Sequence, residues 1–285
     1  TQKGKLLLMA YIKKLEETGV TIVALTCDGT STNLSLLNNF GIETNSTPNC
    51  CFSYSHESDG KCLTSGNIRG ILDPCHMLKL FRNLLADVGF IYDSDRNAIK
   101  WDYIVRLHQI QKYEGVHCAN KLQEKHINFS NQKMKVSLAA QTLSNSVANV
   151  LLFLRDGLHL PEFKDVGPTA TFIKFVDRTF DILNSVDVWS KGSKAPITTF
   201  NEESTKFNLN EAIAYFSKLK LADGTLISES RRKVPVVGLI LNCYSVLSLA
   251  EELVWSEHPP LRYLLCRNLS HDHVEKIFSC VRKRT

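Results

Sequence analysis

The sequence predicts an α/β protein, and three observations carry that reading. The stretch Val20–Cys27 is β-branched and apolar and stops at Asp28-Gly29, the pattern of a buried strand that ends at a crevice. A second apolar stretch, Ile68–Leu72, stops in the same manner at Asp73-Pro74. Long segments with apolar residues at helical spacing flank and follow both. In an open α/β sheet, ligands collect outside the carboxyl ends of the strands, so Asp28 stands where chemistry is usually placed. A carboxylate there also starts turns and caps helices, and only a second carboxylate at the same place decides between the roles.

In chain order, Leu6, Leu7, Leu8, Tyr11, Ile12 and Leu15 recur at helical spacing, and Gly19 stops that helix before the strand. After Asp28, the run Thr30–Asn33 offers N-caps for a short helix through Phe40. Asn45–Asn67 is polar and reads as a long surface loop or a hairpin. Asp73 is placed to N-cap a helix with Pro74 at its first position. That helix carries Lys79 and Arg82 near its first turns, where the helix dipole disfavours cations, so they need another reason to be there.

Helices are predicted over Trp101–Glu114, Lys133–Leu154, Thr169–Asn184, Leu209–Leu219 and Val236–Leu253, the last so apolar that it belongs in the core. Ser185–Asn201 reads as a connector. Ser270 caps a closing helix with Val274, Ile277, Phe278 and Val281 on one side. Asp272 and Glu275 lie three apart on it, so they share a face and can approach one point; acids in a first turn also simply complement the helix dipole.

The composition bounds the function classes. With 285 residues, 44% hydrophobic and 22% charged, the chain can bury an ample core in one or two domains. The net charge of +5 is compatible with nucleic acid without requiring it, and the run Arg282-Lys283-Arg284 counts only beside a site. Nine cysteines, an odd number with several in apolar segments, suit a reducing, intracellular setting. Cys50-Cys51 with His56 and Cys62 lacks the CxxC spacing of a zinc site. No signal peptide pattern and no membrane-spanning apolar run of ~18 residues is present, which argues against a membrane. The chain opens without Met, directly in a helix, and reads as a piece of something longer. There is no GxxxxGK[ST] loop, and Asn120-Lys121-Leu122-Gln123 lacks the Asp of an NKxD guanine reader, so the residues alone do not propose GTP.

Three pieces of sequence carry a resemblance: Leu25–Gly29 (LTCDG), Leu72–Asn83 (LDPCHMLKLFRN) and Leu269–Arg282 (LSHDHVEKIFSCVR). Together with Ile99–Ile104, Lys135–Ser144 and Phe180–Ser185, they resemble the core of P-element-type transposases and their THAP-domain descendants. The resemblance implies an RNase H-like fold with its first strands missing, interrupted by a large, mainly α-helical insertion that binds GTP. Residues 1–72 and 246–285 would form the RNase H-like part and residues 73–245 the insertion. It also implies a metal-binding acidic triad, in which Asp28 is similar to the second aspartate and Glu275 to the closing glutamate, with Asp272 as a further candidate. Carboxylates at one point repel unless cations neutralise them, which suits Mg²⁺ and phosphodiester transfer. Lys79 becomes the candidate phosphate contact, and Asp181 or Asp177 the candidate for the guanine edge. The implied partners are DNA and GTP, in a nuclear homo-oligomer of the full-length protein.

The family's first aspartate lies on a strand upstream of the first helix here, so the expectation is a polypeptide incompetent for strand transfer by itself. The alternative is a DNA- or protein-binding module that keeps the fold without the chemistry. A small-molecule metalloenzyme would need a cofactor motif, and none is found.

Overall fold

The computed structural model describes residues 2–43, 48–58, 61–115 and 121–282, and the side chains of 55–58, 61–65 and 279 are outside that description. Asn120, Lys283, Arg284 and the side chains of His56 and Cys62 therefore lie outside the described residues. The first unit is helix α1 (Gln2–Glu16), strand β1 (Ala24–Cys27) and helix α2 (Ser31–Asn39). The polar stretch that follows is a hairpin, with β2 (Cys51–Ser58) and β3 (Lys61–Leu72) paired antiparallel. β3 lies in the middle of the sheet, in the order β1-β3-β2, and runs parallel to β1 with Ala24 opposite Arg69 and Cys27 opposite Leu72. Both parallel strands thus end at the same edge, and each is followed at once by an aspartate.

Helix α3 (Pro74–Val88) starts there, with Asp73 accepting from the His76 N–H at 2.9 Å as its N-cap. A two-stranded hairpin, β4 (Phe90–Tyr92) with β5 (Ala98–Lys100), leads into α4 (Asp102–Glu114), α5 (Glu124–Ile127), α6 (Val136–Thr142), α7 (Asn145–Asp156), α8 (Gly167–Leu183) and α9 (Glu202–Phe216). The helix expected over Lys133–Leu154 is broken at Leu143-Ser144, because the Ser144 hydroxyl accepts from the Val147 N–H and caps a new helix, α7. The chain closes with α10 (Val234–Leu253) and α11 (Asp272–Arg282).

The two cations of α3 have different explanations. Arg82 is fully buried; its guanidinium lies 3.7 Å from the Phe129 ring centre and donates to the Lys133 carbonyl and the Asn83 side chain. It stitches α3 to the segment before α6, using the flat face that a lysine lacks. Lys79 is also buried, with no carboxylate at ion-pair distance among the described residues.

Helix α10 is long and apolar enough to cross a bilayer, but most of it is buried against β3, α3 and α9. It lies so close to α3 that a Cβ on Gly238 would overlap the sulfur of Met77. Several of its polar residues are spent on the sheet. Asn242 accepts from the Leu72 N–H at 2.8 Å and donates back to the Leu72 carbonyl, and Ser245 donates to the Gly70 carbonyl at 2.6 Å. Farther along, Arg69 donates to Ser248 at 3.1 Å and pairs with Glu252. The proposed boundary between residues 245 and 246 falls inside this one helix.

Asn242→Ala strands the N–H and C=O of Leu72 in the core, at about 1–3 kcal/mol for each group left unpaired. A loss on the order of 3 kcal/mol in denaturant unfolding is expected; a loss below about 0.5 kcal/mol, the range of an ordinary surface substitution, would mean that the pairing is dispensable.

Candidate functional site

Two places in the structure gather the residues expected to act. The first is the edge where β1 and β3 end. The Asp73 N–H donates to the Cys27 carbonyl at 2.8 Å, so the residues after the two strands sit side by side. Asp28 is half-buried and its Oδ1 accepts from the Asn33 amide at 2.6 Å and the Thr30 N–H at 3.2 Å. Burial pushes its carboxyl up, but these bonds and the nearby His76 outweigh it and hold the group below the usual carboxylate range. Asp28 is therefore ionised throughout the neutral range.

The closing segment is tied to the same edge. The Thr26 hydroxyl donates to the Leu269 carbonyl at 2.7 Å, and His271 Nε2 donates to the Thr26 carbonyl at 3.0 Å. The His271 N–H reaches Asp73 Oδ1 at 3.4 Å, and Ser270 is buried as α11 begins. Asp73, read from the sequence as a cap alone, thus caps α3 with one oxygen and holds the closing segment with the other. His76 stands between Asp28 and Asp73, with burial and Lys79 keeping its imidazole below its ordinary pKa against the pull of the two carboxylates.

The expected acidic set converges only in part. Asp272 is engaged by Arg267 at 2.9 Å, and Glu275 is exposed on α11. The apolar stripe of α11 also faces outward, with Ile277 64% and Phe278 54% exposed, so the helix is not seated by its own hydrophobic side. No three His, Cys, Asp or Glu side chains among the described residues come together to hold a metal. The residues present therefore do not fit a closed Mg²⁺ site.

The second place is a cleft of about 470 Å³ between α6, α7, α8 and the connector after α8. Asp177 and Asp181, one turn apart on α8, both line it, together with Gln141, Ser144, Phe180, Asn184 and Lys194. A neighbouring cavity of about 620 Å³ shares the two aspartates and Lys194 and adds Lys174, Arg178 and Lys191. Burial raises the carboxyl of Asp181 to about 6, with the charge of Asp177 adding to it. Lys194, 3.9 Å away and itself exposed, opposes the shift without cancelling it. Asp177 is raised as well, again by burial, although it accepts a backbone hydrogen bond from Asn145 at the start of α7. Lys79 lines neither cavity: it lies beside His76 and Cys75, on the strand-end side of α3.

Sequence reasoning passed over Asp73 as more than a cap, and over His76, His271, Gln141 and Lys194. The repetition of strand then Asp at Cys27-Asp28 and Leu72-Asp73 was the available signal for the first. Gln141, on a short helix read as part of a longer one, carried no signal of its own.

Two family models match the chain. Residues 1–41 match one described as a TNP-like RNase H N-terminal domain, and residues 75–196 match a TNP-like GTP-binding insertion domain, which takes in the whole α6–α8 cleft. The human DNA transposase THAP9 is 29% identical over 277 residues, 97% of this chain. The chain spans 30% of that relative's length. Among solved structures, the Drosophila P element transposase strand transfer complex superposes with a TM-score of 0.76 at 26% identity, covering 97% of this chain and 58% of the solved one. Along nearly its whole length the chain is homologous to P-element-type transposases, and its residues 75–196 are similar to the GTP-binding insertion domain of TNP-like proteins.

Proposed function

We propose that the chain is part of the catalytic core of a DNA transposase and that it holds GTP in the α6–α8 cleft. The observation that carries the nucleotide reading is the half-buried carboxylate pair, Asp177 and Asp181, in a cleft within the segment similar to GTP-binding insertion domains. A carboxylate accepts from both N1–H and N2–H of guanine, a pairing adenine cannot offer. Lys174, Lys191 and Lys194 in the adjoining cavity supply cations for the phosphates. The volumes of the two cavities suit a nucleotide.

The strand-end edge is the proposed place of the DNA chemistry. Asp28 is its ionised carboxylate, and Lys79, which acts with Asp28 and Asp73 on the titration of His76, is assigned to a phosphate there. Glu275, Asp272 and Mg²⁺ belong to this reading only as a proposal for the full-length protein, since the described residues do not gather three metal ligands. DNA as partner, assembly into a homo-oligomer and a nuclear location follow from the same reading. The exposed Glu275 and the Arg267-bound Asp272 favour a second reading, a binding or assembly module without chemistry. Asp28→Ala in the full-length protein separates the two: abolished DNA strand transfer supports the transposase reading, and unchanged function supports the module.

Calorimetric titration with GTP, and with ATP as control, tests the nucleotide site. Selective GTP binding is expected, weakened at least about tenfold in Asp181→Asn, the size of one lost charge-assisted hydrogen bond. Equal binding of GTP and ATP would sink the guanine assignment.

The sign of the pH dependence follows from the raised Asp181 carboxyl. Its folded-state pKa of about 6 lies above the unfolded value, so the fold favours the protonated form, and that contribution is lost as pH rises through about 6. Guanine donors favour the ionised form instead. GTP affinity should rise from about pH 5 to about pH 7, with a proton released on binding in the lower part of that range. A flat profile would place the nucleobase elsewhere. Incubated with Mg²⁺ and transposon-end oligonucleotides, the chain by itself is expected to give no strand-transfer product, and robust cleavage would overturn that expectation.

A further inference from the structure

The cleft has an acidic side, and on its α6 wall stands an amide whose orientation is fixed. Gln141 leaves α6 at the cleft wall, and its orientation is set by a buried relay rather than by solvent. The Gln123 N–H donates to His126 Nδ1 at 2.9 Å, so that nitrogen carries the lone pair and Nε2 carries the proton. The Gln123 carbonyl lies at 3.2 Å from the same Nδ1, but a nitrogen that accepts the N–H cannot also donate. His126 Nε2 then donates to Gln141 Oε1 at 2.8 Å. His126 is fully buried, and burial holds it below its ordinary pKa, so it stays neutral in this tautomer. The relay uses the oxygen of Gln141 and leaves its NH₂ group as the part presented to the cleft.

The cleft's acceptors lie on α8 and at its end, and its cations, Lys121 and Lys194, stand on exposed segments outside α6. The acceptors are Asp177, Asp181 and the side-chain oxygen of Asn184, which is buried without a hydrogen-bond partner among the described residues. Guanine presents one acceptor, O6, beside two donors, N1–H and N2–H; adenine presents one donor and one acceptor. We infer that Gln141 is a specificity-determining residue whose NH₂ group donates to O6 of guanine, while the acidic side accepts from N1–H and N2–H. The inference rests on the guanine-nucleotide reading above and adds the residue that reads the keto group. His126 acts through Gln141 and is a positioning residue.

The test compares three triphosphates by calorimetry on the intact chain: those of guanosine, inosine and 2,6-diaminopurine riboside. Inosine keeps O6 and lacks the 2-amino group; diaminopurine keeps the 2-amino group and carries an amino group where O6 was. In Gln141→Leu, affinity for the first two should fall about tenfold, the weight of one buried hydrogen bond, with diaminopurine triphosphate changed less than about twofold. Gln141→Glu keeps an acceptor for His126 and the shape of the side chain, and should raise diaminopurine triphosphate relative to GTP. An equal loss for all three ligands in Gln141→Leu, with no change of preference in Gln141→Glu, would reduce Gln141 to packing and overturn the inference. So would unchanged GTP affinity in both variants. A wild-type chain that binds none of the three sinks the guanine reading itself, whereas selective GTP binding indifferent to Gln141 sinks this assignment alone.

Discussion

Everything at the strand-end edge depends on where β3 stops, and β3 stops where Asn242 meets Leu72. The last residue of a strand has a backbone N–H and C=O with no further partner in the ladder, and in a core each must be answered. Asn242 answers both from the middle of an otherwise apolar helix. This fixes the register of β3 against α10, and the parallel pairing fixes β1 against β3. Asp28 and Asp73 then emerge side by side without either having to find the other. The contact joins residues 170 positions apart in sequence. A helix near the end of the chain therefore sets the place of a carboxylate near its start.

Each of the two acidic places is tuned in the opposite direction by the same physics. Asp28 lies near the surface, accepts two hydrogen bonds and faces an imidazole, so its charged form is favoured. Asp181 is more deeply placed, next to a second carboxylate and a loosely held lysine, so its charged form is disfavoured. An ionised carboxylate at a strand end is ready for a cation or a phosphate-bearing partner held through one. A carboxylate pair whose charged forms are disfavoured in a cleft waits for a ligand that brings its own N–H donors. The two sites are thus suited to different partners before any partner is named.

Local signals made much of the fold legible. The β-branched run ending in Asp-Gly, the Asp-Pro cap of α3 and the apolar length of α10 each stated an element and its burial from a few residues. Asp181 and Asp177 were named as alternatives by the resemblance rather than by a local signal; they lie one turn apart on α8, and one cleft receives both. The break between α6 and α7 was hidden because Leu143 keeps the apolar periodicity while Ser144, a single hydroxyl, changes the backbone path. Lys79 was assigned to the nucleotide's phosphate by the family resemblance alone. Cys75 and His76 precede Lys79 by four and three positions on α3, so helical spacing already places them on its face, while its absence from the lining of both cavities depends on tertiary packing. Gln141 was the least legible, since its meaning comes from a histidine 15 positions away whose tautomer is fixed by a backbone N–H.

Burial gives the cleft its discriminating power. An exposed carboxylate is satisfied by water, so a ligand's N–H donors gain little by replacing it. Asp181 is starved of such partners: its nearest cation, on the exposed connector, sits at the limit of an ion pair and must give up a flexible stem to come closer. Ordering that stem costs more than a rigid purine edge that arrives with two donors already in line. A ligand with one donor leaves an acceptor unpaired in a place where water is already scarce, and an unpaired buried acceptor costs more than a paired one contributes. Selectivity of this kind comes from what the wrong ligand leaves undone, and it grows with the depth of the carboxylates rather than with their number.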